Sequence, residues 1–224
     1  MRLNPFNTGN INVRSSGGGG RVPGGKAGGI GCGTIVIAAV GYFVFGLDPM
    51  QTAGMVEGVQ QGQQQAGPAN TDEQEVCTSS EYALEACNGL QSLNQTWAAT
   101  FDAQGYGDQF QQPTLDLYGG GGVRTGCGNG TSAMGPFYCP ADQTIYIDTS
   151  FYDTLERQLG AGGDFARYYV LAHEYGHHIQ TITGISSQIR SAQQQNPSRA
   201  NQLQVLMELQ ADCYAGVWAG KNRN

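Results

Sequence analysis

Residues 170–180 read VLAHEYGHHIQ, and they contain all three histidines of this 224-residue chain: His173, His177 and His178. His173 and His177 are four positions apart, so in a helix they lie one turn apart on the same face. Two imidazoles in that arrangement can bind one ion, and Glu174, beside the first of them, can hold a water on that ion. The stretch therefore predicts a helix that carries most of a metal site.

The pattern around the histidines predicts the limits of this helix. Asp164 can cap it and Gly184 can end it. Apolar or aromatic residues at 165, 168, 172, 175, 179 and 182 predict a helix over residues 165–183 that is buried along one stripe. Gly176 costs a helix about 1 kcal/mol relative to Ala, which indicates that something packs closely on that turn.

The motif H-E-x-x-H, from His173 to His177, is typical of zinc metalloproteases. His178 is about 100° further round the helix, so we interpret it as a structural neighbour of the site and not as a ligand. A catalytic zinc has three protein ligands and one open position. Because the chain has no fourth histidine and cysteine suits closed structural sites, we expect a carboxylate as the third ligand.

A second helix offers that carboxylate. Asn196-Pro197 is a helix start signal, and apolar residues recur at helical spacing from there to residue 220. Glu208 and Asp212 share one face of this helix, next to small residues that allow close approach of another helix. We expect Glu208 to bind the ion and Asp212 to accept a hydrogen bond from the outer nitrogen of a ligand histidine.

The N-terminal part predicts a membrane anchor. Residues 30–47 contain no charged residue, and as a helix they would reach about 27 Å, the lower limit of a membrane span. The four bases and no acid before residue 30 predict a cytoplasmic N-terminus, with everything after the span outside the cytoplasm. A cleaved signal peptide or a buried core helix is the less favoured alternative.

These features divide the chain into four parts. They are a basic, glycine-rich cytoplasmic tail (1–29), a transmembrane helix (30–47), a Gln/Gly-rich linker (48–75) and a globular domain (76–224). The 18 acids all follow residue 47, where only seven of the 11 bases lie. A domain this acidic is a poor candidate for binding nucleic acid, which requires a basic surface.

Two further elements of the domain follow from periodicity. After a capping box at Thr78-x-x-Glu81, apolar residues at 86, 90, 93, 97 and 101 predict an amphipathic helix. Residues Thr144–Asp148, TIYID, alternate between apolar and polar and predict a half-buried strand. This strand precedes the histidine helix and could pair with an extended substrate backbone.

The cysteines predict disulfides if the domain lies in an oxidising compartment. Cys127 and Cys139 flank a glycine-rich loop and form the favoured pair. An unbroken helix would separate the Cα atoms of Cys77 and Cys87 by about 15 Å, whereas a disulfide needs less than about 7 Å. Either that helix starts later or this pair does not form. Cys213 would be left free, and the alternative that all five cysteines outside residues 30–47 are reduced packing residues stays open.

Three ordered stretches, GPFYCPADQTIYID, GDFARYYVLAHEYGHHIQ and ELQADCYAGVWA, together resemble the bacterial Putative neutral zinc metallopeptidase family. The resemblance covers most of residues 97–219. It implies an α+β, zincin-like domain, mainly helical with a small sheet, that follows one transmembrane helix. Members usually continue beyond the ADCYAGVWA helix, so we expect the chain to be truncated at its C-terminal side relative to the family.

The resemblance also implies roles for single residues. It carries His173, His177 and Glu208 over as zinc ligands and Glu174 as the catalytic residue. Asp212 is similar to the aspartate in the E-x-x-A-D motif of related membrane-associated peptidases.

The sequence thus predicts a membrane-anchored zinc metalloendopeptidase. It would hydrolyse peptide or protein substrates with a metal-activated water and Glu174 as general base. Tyr138, Tyr146 or Tyr175 could donate to the oxyanion, and the sequence does not choose among them. One alternative is a zinc-binding membrane protein without catalytic activity, and another is an anchored structural domain without a metal.

Overall fold

The computed structural model describes residues 3, 7, 9–16, 21–22, 63–64, 71–119, 121–153 and 164–222. The helices are α1 (Glu73–Thr78), α2 (Glu81–Ala103), α3 (Asp164–Ile182), α4 (Ile185–Gln195) and α5 (Ala200–Lys221). The strands are β1 (Asn12–Arg14), β2 (Arg21–Val22), β3 (Gln63–Gln64), β4 (Thr114–Tyr118), β5 (Gly122–Thr125), β6 (Gly128–Thr131), β7 (Phe137–Cys139) and β8 (Thr144–Asp148).

The main sheet has four strands in the order β1-β4-β8-β7. β1 and β8 both run parallel to β4, and β7 runs antiparallel to β8. One face of the sheet is apolar and packs into the same core as α2 and α3. The other face carries Tyr118, Tyr146 and Phe137, which cluster with Val123 of the β5–β6 hairpin. The domain is therefore α+β, with the larger helices over one face of the sheet and a hairpin over the other.

Strand β8 has the predicted bounds but not the predicted exposure. All five residues from Thr144 to Asp148 are buried, because the β5–β6 hairpin covers the face that was expected to be solvated. β8 also lies between β4 and β7. It therefore has no open edge for a substrate, and the edge strand next to the histidine helix is β7.

Strand β1 corrects the predicted domain boundaries. Residues 12–14 pair with β4, and the side chains of Ile11 and Val13 are buried in the core. Arg14 Nε lies 2.6 Å from a carboxylate oxygen of Asp116, which is fully buried. Residues 11–14 therefore pack within the globular domain, upstream of its predicted start at residue 76. The predicted span lies between β1 and β4 in the sequence, and these two strands pair in one sheet.

The predicted span at residues 30–47 lies outside the described residues, as does most of the predicted linker. Among the helices that the structure describes, none is both long enough and apolar enough to cross a membrane.

The first two helices resolve the uncertainty about Cys77 and Cys87. Thr78 does not cap α2, because α1 continues to Thr78 and the cap is Ser80, whose hydroxyl accepts a hydrogen bond from Ala83 N–H at 3.1 Å. This break folds the chain back, so the Cα atoms of the two cysteines are 5.9 Å apart and a disulfide joins them.

Cys127, Cys139 and Cys213 are arranged as the sequence predicts. A second disulfide joins Cys127 to Cys139 at the end of β7, with their Cα atoms 5.8 Å apart. Cys213 is free and exposed.

Helices α2 and α3 form as the apolar spacing predicts. The five predicted apolar positions of α2 are all buried. Helix α3 ends before Gly184, which has a left-handed backbone with φ of 78°. Between residues 170 and 180, however, every side chain of α3 is buried, and not only one stripe. The sheet, α2 and α5 each contact α3, which leaves this stretch no solvated face.

Candidate metal centre

Helices α3 and α5 approach each other closely at Gly176. A Cβ atom on Gly176 would lie 2.9 Å from the Cα and carbonyl oxygen of Ala211 and 3.2 Å from its Cβ. Such distances leave no room for a side chain, which is the physical reason for a glycine inside the motif. The contact brings Glu208, one turn before Ala211 on α5, against the histidine face of α3.

Three side chains meet at this crossing. The Nε2 atoms of His173 and His177 each lie 3.2 Å from Glu208 Oε2. All three residues are buried, and the ligand atoms lie within 4.8 Å of one another. Ligands of a tetrahedral zinc at 2.0–2.2 Å are about 3.4 Å from their neighbours, so the two distances of 3.2 Å are close to those around a zinc ion.

The outer nitrogens of both histidines are already occupied. Nδ1 of His173 lies 2.8 Å from Asp212 Oδ1, and Nδ1 of His177 lies 2.9 Å from Gln180 Oε1. The amide nitrogen of Gln180 donates to the carbonyl of Met207 at 2.7 Å, which fixes the orientation of its oxygen as an acceptor. Each imidazole therefore uses Nδ1–H as a donor to these oxygens and turns Nε2 toward Glu208, where Nε2 can bind a metal ion or, when it carries a proton, donate to the carboxylate.

Two imidazole nitrogens and a carboxylate that converge in a buried space favour a cation between them. Burial alone would lower the pKa of His173, but the hydrogen bonds to Asp212 and Glu208 outweigh it and raise the pKa to about 10. Burial would likewise raise the pKa of Glu208, yet the hydrogen bonds from the two histidines hold it well below its usual range. The site therefore stabilises positive charge, as a proton or as a divalent metal ion.

Glu174 lies beside the ligand atoms, and one of its carboxylate oxygens is available for a further hydrogen bond. It is buried, and among the described residues its Oε1 has no hydrogen-bond partner. Burial raises its pKa above the usual value, although the two histidines and the backbone N–H of Tyr138 act in the opposite direction. A buried carboxylate oxygen normally has a partner, so this atom is suited to a water or a substrate group in the cleft.

His178 faces away from the three ligand atoms. Its Nε2 donates to the carbonyl oxygen of Gln111 at 2.6 Å, and its Nδ1 accepts from the hydroxyl of Tyr138 at 3.1 Å. Burial lowers the pKa of His178 to about 4 despite the Gln111 contact. It is thus a neutral, fully bonded residue that holds α3 against the chain before β4 and against β7.

The three tyrosines considered as oxyanion donors lie in different places. The hydroxyl of Tyr175 donates to Asn94 in the core, and that of Tyr146 donates to Asp142 on the far face of the sheet. Tyr138 lines the cleft beside Glu174, but its hydroxyl proton is engaged by His178. None of the three has a free hydroxyl proton aimed at the ligand atoms.

Three supporting residues were missed by the sequence analysis. Gln180 orients His177, Tyr169 donates to Asp212 at 2.7 Å, and Gln204 donates to Glu208 Oε1 at 2.6 Å. Two of them carry a spacing signal, because Gln180 is three residues after one ligand and Gln204 is four residues before another. Tyr169 shows no such signal, since its partner lies 43 residues away on another helix.

A cleft opens beside the three ligand atoms. Its walls come from β7 and its flanking prolines, from α3 and α5, and from α4. The lining residues are Pro136, Phe137, Tyr138, Pro140, Glu174, His177, Thr181, Ser186, Arg190, Met207 and Glu208.

The fold and the site together define an α+β domain with a buried centre of two histidines and one glutamate that can hold a metal. The chain belongs to the family described as Putative neutral zinc metallopeptidase, whose model matches residues 7–224. That family supports zinc as the metal and a peptidase as the class of enzyme.

Two relatives show how much of the chain is shared. "Uncharacterized protein YpfJ" of Escherichia coli K12 is 46% identical over 199 residues, which are 88% of this chain and 64% of that protein. "Uncharacterized protein Rv2575" of Mycobacterium tuberculosis H37Rv is 50% identical over 111 residues, or 49% of this chain and 36% of that protein. The chain thus spans less than two thirds of the length of these relatives. No solved structure matches it.

Proposed function

We propose that this domain is a zinc-dependent endopeptidase with a zincin-like fold. The observation that carries the proposal is the convergence of His173, His177 and Glu208 on one point, next to a glutamate with an unpartnered oxygen. Family membership supports the same class of enzyme.

In this proposal three residues bind the metal and a fourth transfers the proton. His173, His177 and Glu208 hold the zinc, which when bound polarises the scissile carbonyl and lowers the pKa of water toward 7. Glu174 takes the proton of the attacking water on its free oxygen and passes it to the leaving amine. The burial that raises the pKa of Glu174 makes it a better proton acceptor than an exposed glutamate.

The edge strand β7 suggests how a peptide would lie. Among the described strands β7 pairs only with β8, and Phe137 and Tyr138 line the cleft with Glu174. An extended substrate can add to such an edge through backbone hydrogen bonds. We therefore propose β7, and not β8, as the strand along which the substrate binds.

The disulfides support a location outside the cytoplasm. Bonds such as Cys77–Cys87 and Cys127–Cys139 persist in oxidising compartments. We propose that the whole described domain, including β1, lies on that side. Attachment to a membrane through residues 30–47 stays a prediction. Labelling of single-cysteine reporters at residues 9 and 108 in intact cells tests whether β1 and the rest of the domain lie on the same, outer side. Both reporters should then react equally with an impermeant reagent.

A comparison with Glu174→Gln tests the proposed activity. We expect about one zinc per chain by elemental analysis in both proteins, because Glu174 is not a ligand. Cleavage of reduced, alkylated casein should fall about 10²–10⁴-fold in the variant, whereas Glu81→Gln, an exposed residue on α2, should keep wild-type activity. Equal cleavage by wild type and Glu174→Gln, with zinc bound in both, would support the non-catalytic zinc protein instead.

A further inference from the structure

One basic side chain lies in the wall of the cleft. Arg190 is on α4, four residues after Ser186, so the two share one face of that helix and both line the cleft with Glu174, His177 and Glu208. From Gln180 to Pro197 Arg190 is the only charged residue. Apart from the ligand His177, it is also the only residue with a basic side chain among those that line the cleft.

Arg190 also lies opposite the proposed substrate strand. Its charge acts on the phenol of Tyr138 and lowers that pKa, although burial prevails and raises it to about 12. Tyr138 belongs to β7, so α4 and β7 face each other across the cleft. A peptide bound along β7 would present side chains to Arg190.

The guanidinium of Arg190 has no partner in the part of the chain that the structure describes. Arg14 and Arg167, by contrast, each form an ion pair with a carboxylate, at 2.6 Å and 2.5 Å. Arg190 is exposed and makes no ion pair or hydrogen bond with a described residue, in a protein with 18 acids and only 11 bases. An unpaired arginine in a cleft is free to bind an anion of a ligand, and its planar group matches a carboxylate with two hydrogen bonds.

We propose that Arg190 binds a carboxylate of the substrate and gives the peptidase a preference for acidic peptides. Arg190 lies on α4, whereas Glu174 and Glu208 lie on α3 and α5, so the acidic group is expected on the α4 side of the cleft. The carboxylate can belong to a Glu or Asp side chain near the scissile bond or to the substrate's C-terminus. This inference rests on the proposed function, because it assumes that a peptide occupies the cleft.

Quenched fluorescent peptides test the preference. In one series with blocked ends, Gln, Glu or Lys is placed in turn at each of three positions on either side of the cleaved bond. A second series compares a free C-terminus with its amide at increasing distance from that bond. At one position we expect kcat/KM to be about fivefold higher for Glu than for Gln, the size of a partly exposed ion pair. A preference for the free C-terminus alone would assign the carboxylate to the chain end.

Variants of Arg190 assign the preference to this residue. In Arg190→Gln the ratio of Glu to Gln peptide should fall to about one, and in Arg190→Glu the Lys peptide should become the best substrate. Arg199→Gln, an exposed arginine outside the cleft, should keep the wild-type ratio. Circular dichroism melting should show that all three variants are folded.

A binding measurement separates this inference from the proposed function. Zinc-loaded Glu174→Gln protein, with and without Arg190→Gln, is titrated with labelled Glu and Gln peptides by fluorescence anisotropy. Tighter binding of the Glu peptide that disappears with Arg190→Gln supports the inference even if wild type cleaves nothing. Equal affinity for the Glu and Gln peptides in the presence of Arg190 overturns the inference, whether or not the protein is a peptidase. A preference for the Glu peptide that survives Arg190→Gln overturns it as well.

Discussion

Helices α3 and α5 both supply residues of the candidate metal centre, but they are held in place very differently. α3 is buried on every side from residue 170 to residue 180. α5 is buried only on the side that carries Glu208, Ala211, Ala215 and Trp218. Its opposite side exposes Val205, Leu206, Leu209 and Val217 to solvent.

The difference shows which part of the site depends on the docking of one helix against another. His173, Glu174 and His177 lie on the fully buried stretch of α3, although Asp212 of α5 also contacts Nδ1 of His173. The position of Glu208 depends on the contact between Gly176 and Ala211. Changes at that contact should therefore separate the third ligand from the histidine pair.

The largest effect is expected from removing the carboxylate of Glu208, which α5 contributes to the site. Glu208→Ala should weaken zinc binding more than 100-fold, beyond the 10- to 100-fold that is typical for loss of an outer hydrogen-bond partner. The histidine pair should stay in place, because α3 does not depend on Glu208 for its burial. Competition with a fluorescent chelator measures the affinity, and an unchanged zinc dissociation constant would remove Glu208 from the ligand set.

Low pH should reduce the stability of the domain by protonating His178, which packs α3 against its neighbours. Its folded pKa of about 4 lies below the ordinary value of 6.5, so the unfolded chain binds the extra proton. The stability that neutral His178 contributes is complete above pH 6.5 and falls as the pH decreases toward 4, by about 3 kcal/mol at most. Urea unfolding at pH 7 and pH 4.5 should show a smaller pH dependence for His178→Gln than for wild type. Equal slopes would contradict the neutral, buried state.

The helix contact itself can be tested at two glycines. Gly176→Ala should destabilise the domain by about 1–3 kcal/mol, because the new methyl group meets the backbone of Ala211. It should also weaken zinc binding, since α5 must move away. Gly216→Ala on the exposed side of α5 meets nothing within 4 Å, and its better helix propensity should stabilise the domain by up to about 1 kcal/mol. Stabilisation by both substitutions would show that the helices do not approach so closely.

The smallest expected effects compare the outer partners of the two histidines. Asp212→Ala on α5 and Gln180→Ala on α3 should each weaken zinc binding about 10- to 100-fold. The loss should be larger for Asp212, because its hydrogen bond to His173 involves a charged group. Isothermal titration with zinc at constant pH gives both values. If Gln180→Ala left the zinc affinity unchanged, zinc binding by His177 would not depend on the hydrogen bond at its Nδ1 atom.

The features that follow from local spacing were predictable from the sequence. Helix α3 and its end at Gly184 follow from apolar periodicity and one glycine, and the need for a carboxylate follows from the number of histidines. Even the close contact at Gly176 was indicated, because a glycine inside a helix weakens it unless another element requires the space.

The features that depend on distant parts of the chain were not predictable in this way. Strand β1 is three residues long and contains an arginine, so it shows no strand pattern until its pairing with β4 and the partner of Arg14 are known. The second face of β8 alternates as a solvated face would, and only the hairpin above it makes it buried. Ser80 and not Thr78 caps α2, because α1 continues to Thr78 and the chain turns back between the two helices.

The placement of β1 has a consequence for the time course of folding. Arg14 and its partner Asp116 are 102 positions apart in the chain. At a synthesis rate of about 5–20 residues per second, roughly 5–20 s pass between the two on the ribosome. During that interval the first strand of the domain has no sheet to join, and Ile11 and Val13 have no core to enter. The strand that is made first therefore cannot be placed before β4 has been made, and a folding phase that follows the synthesis of β4 should be sensitive to substitutions at residues 11–14.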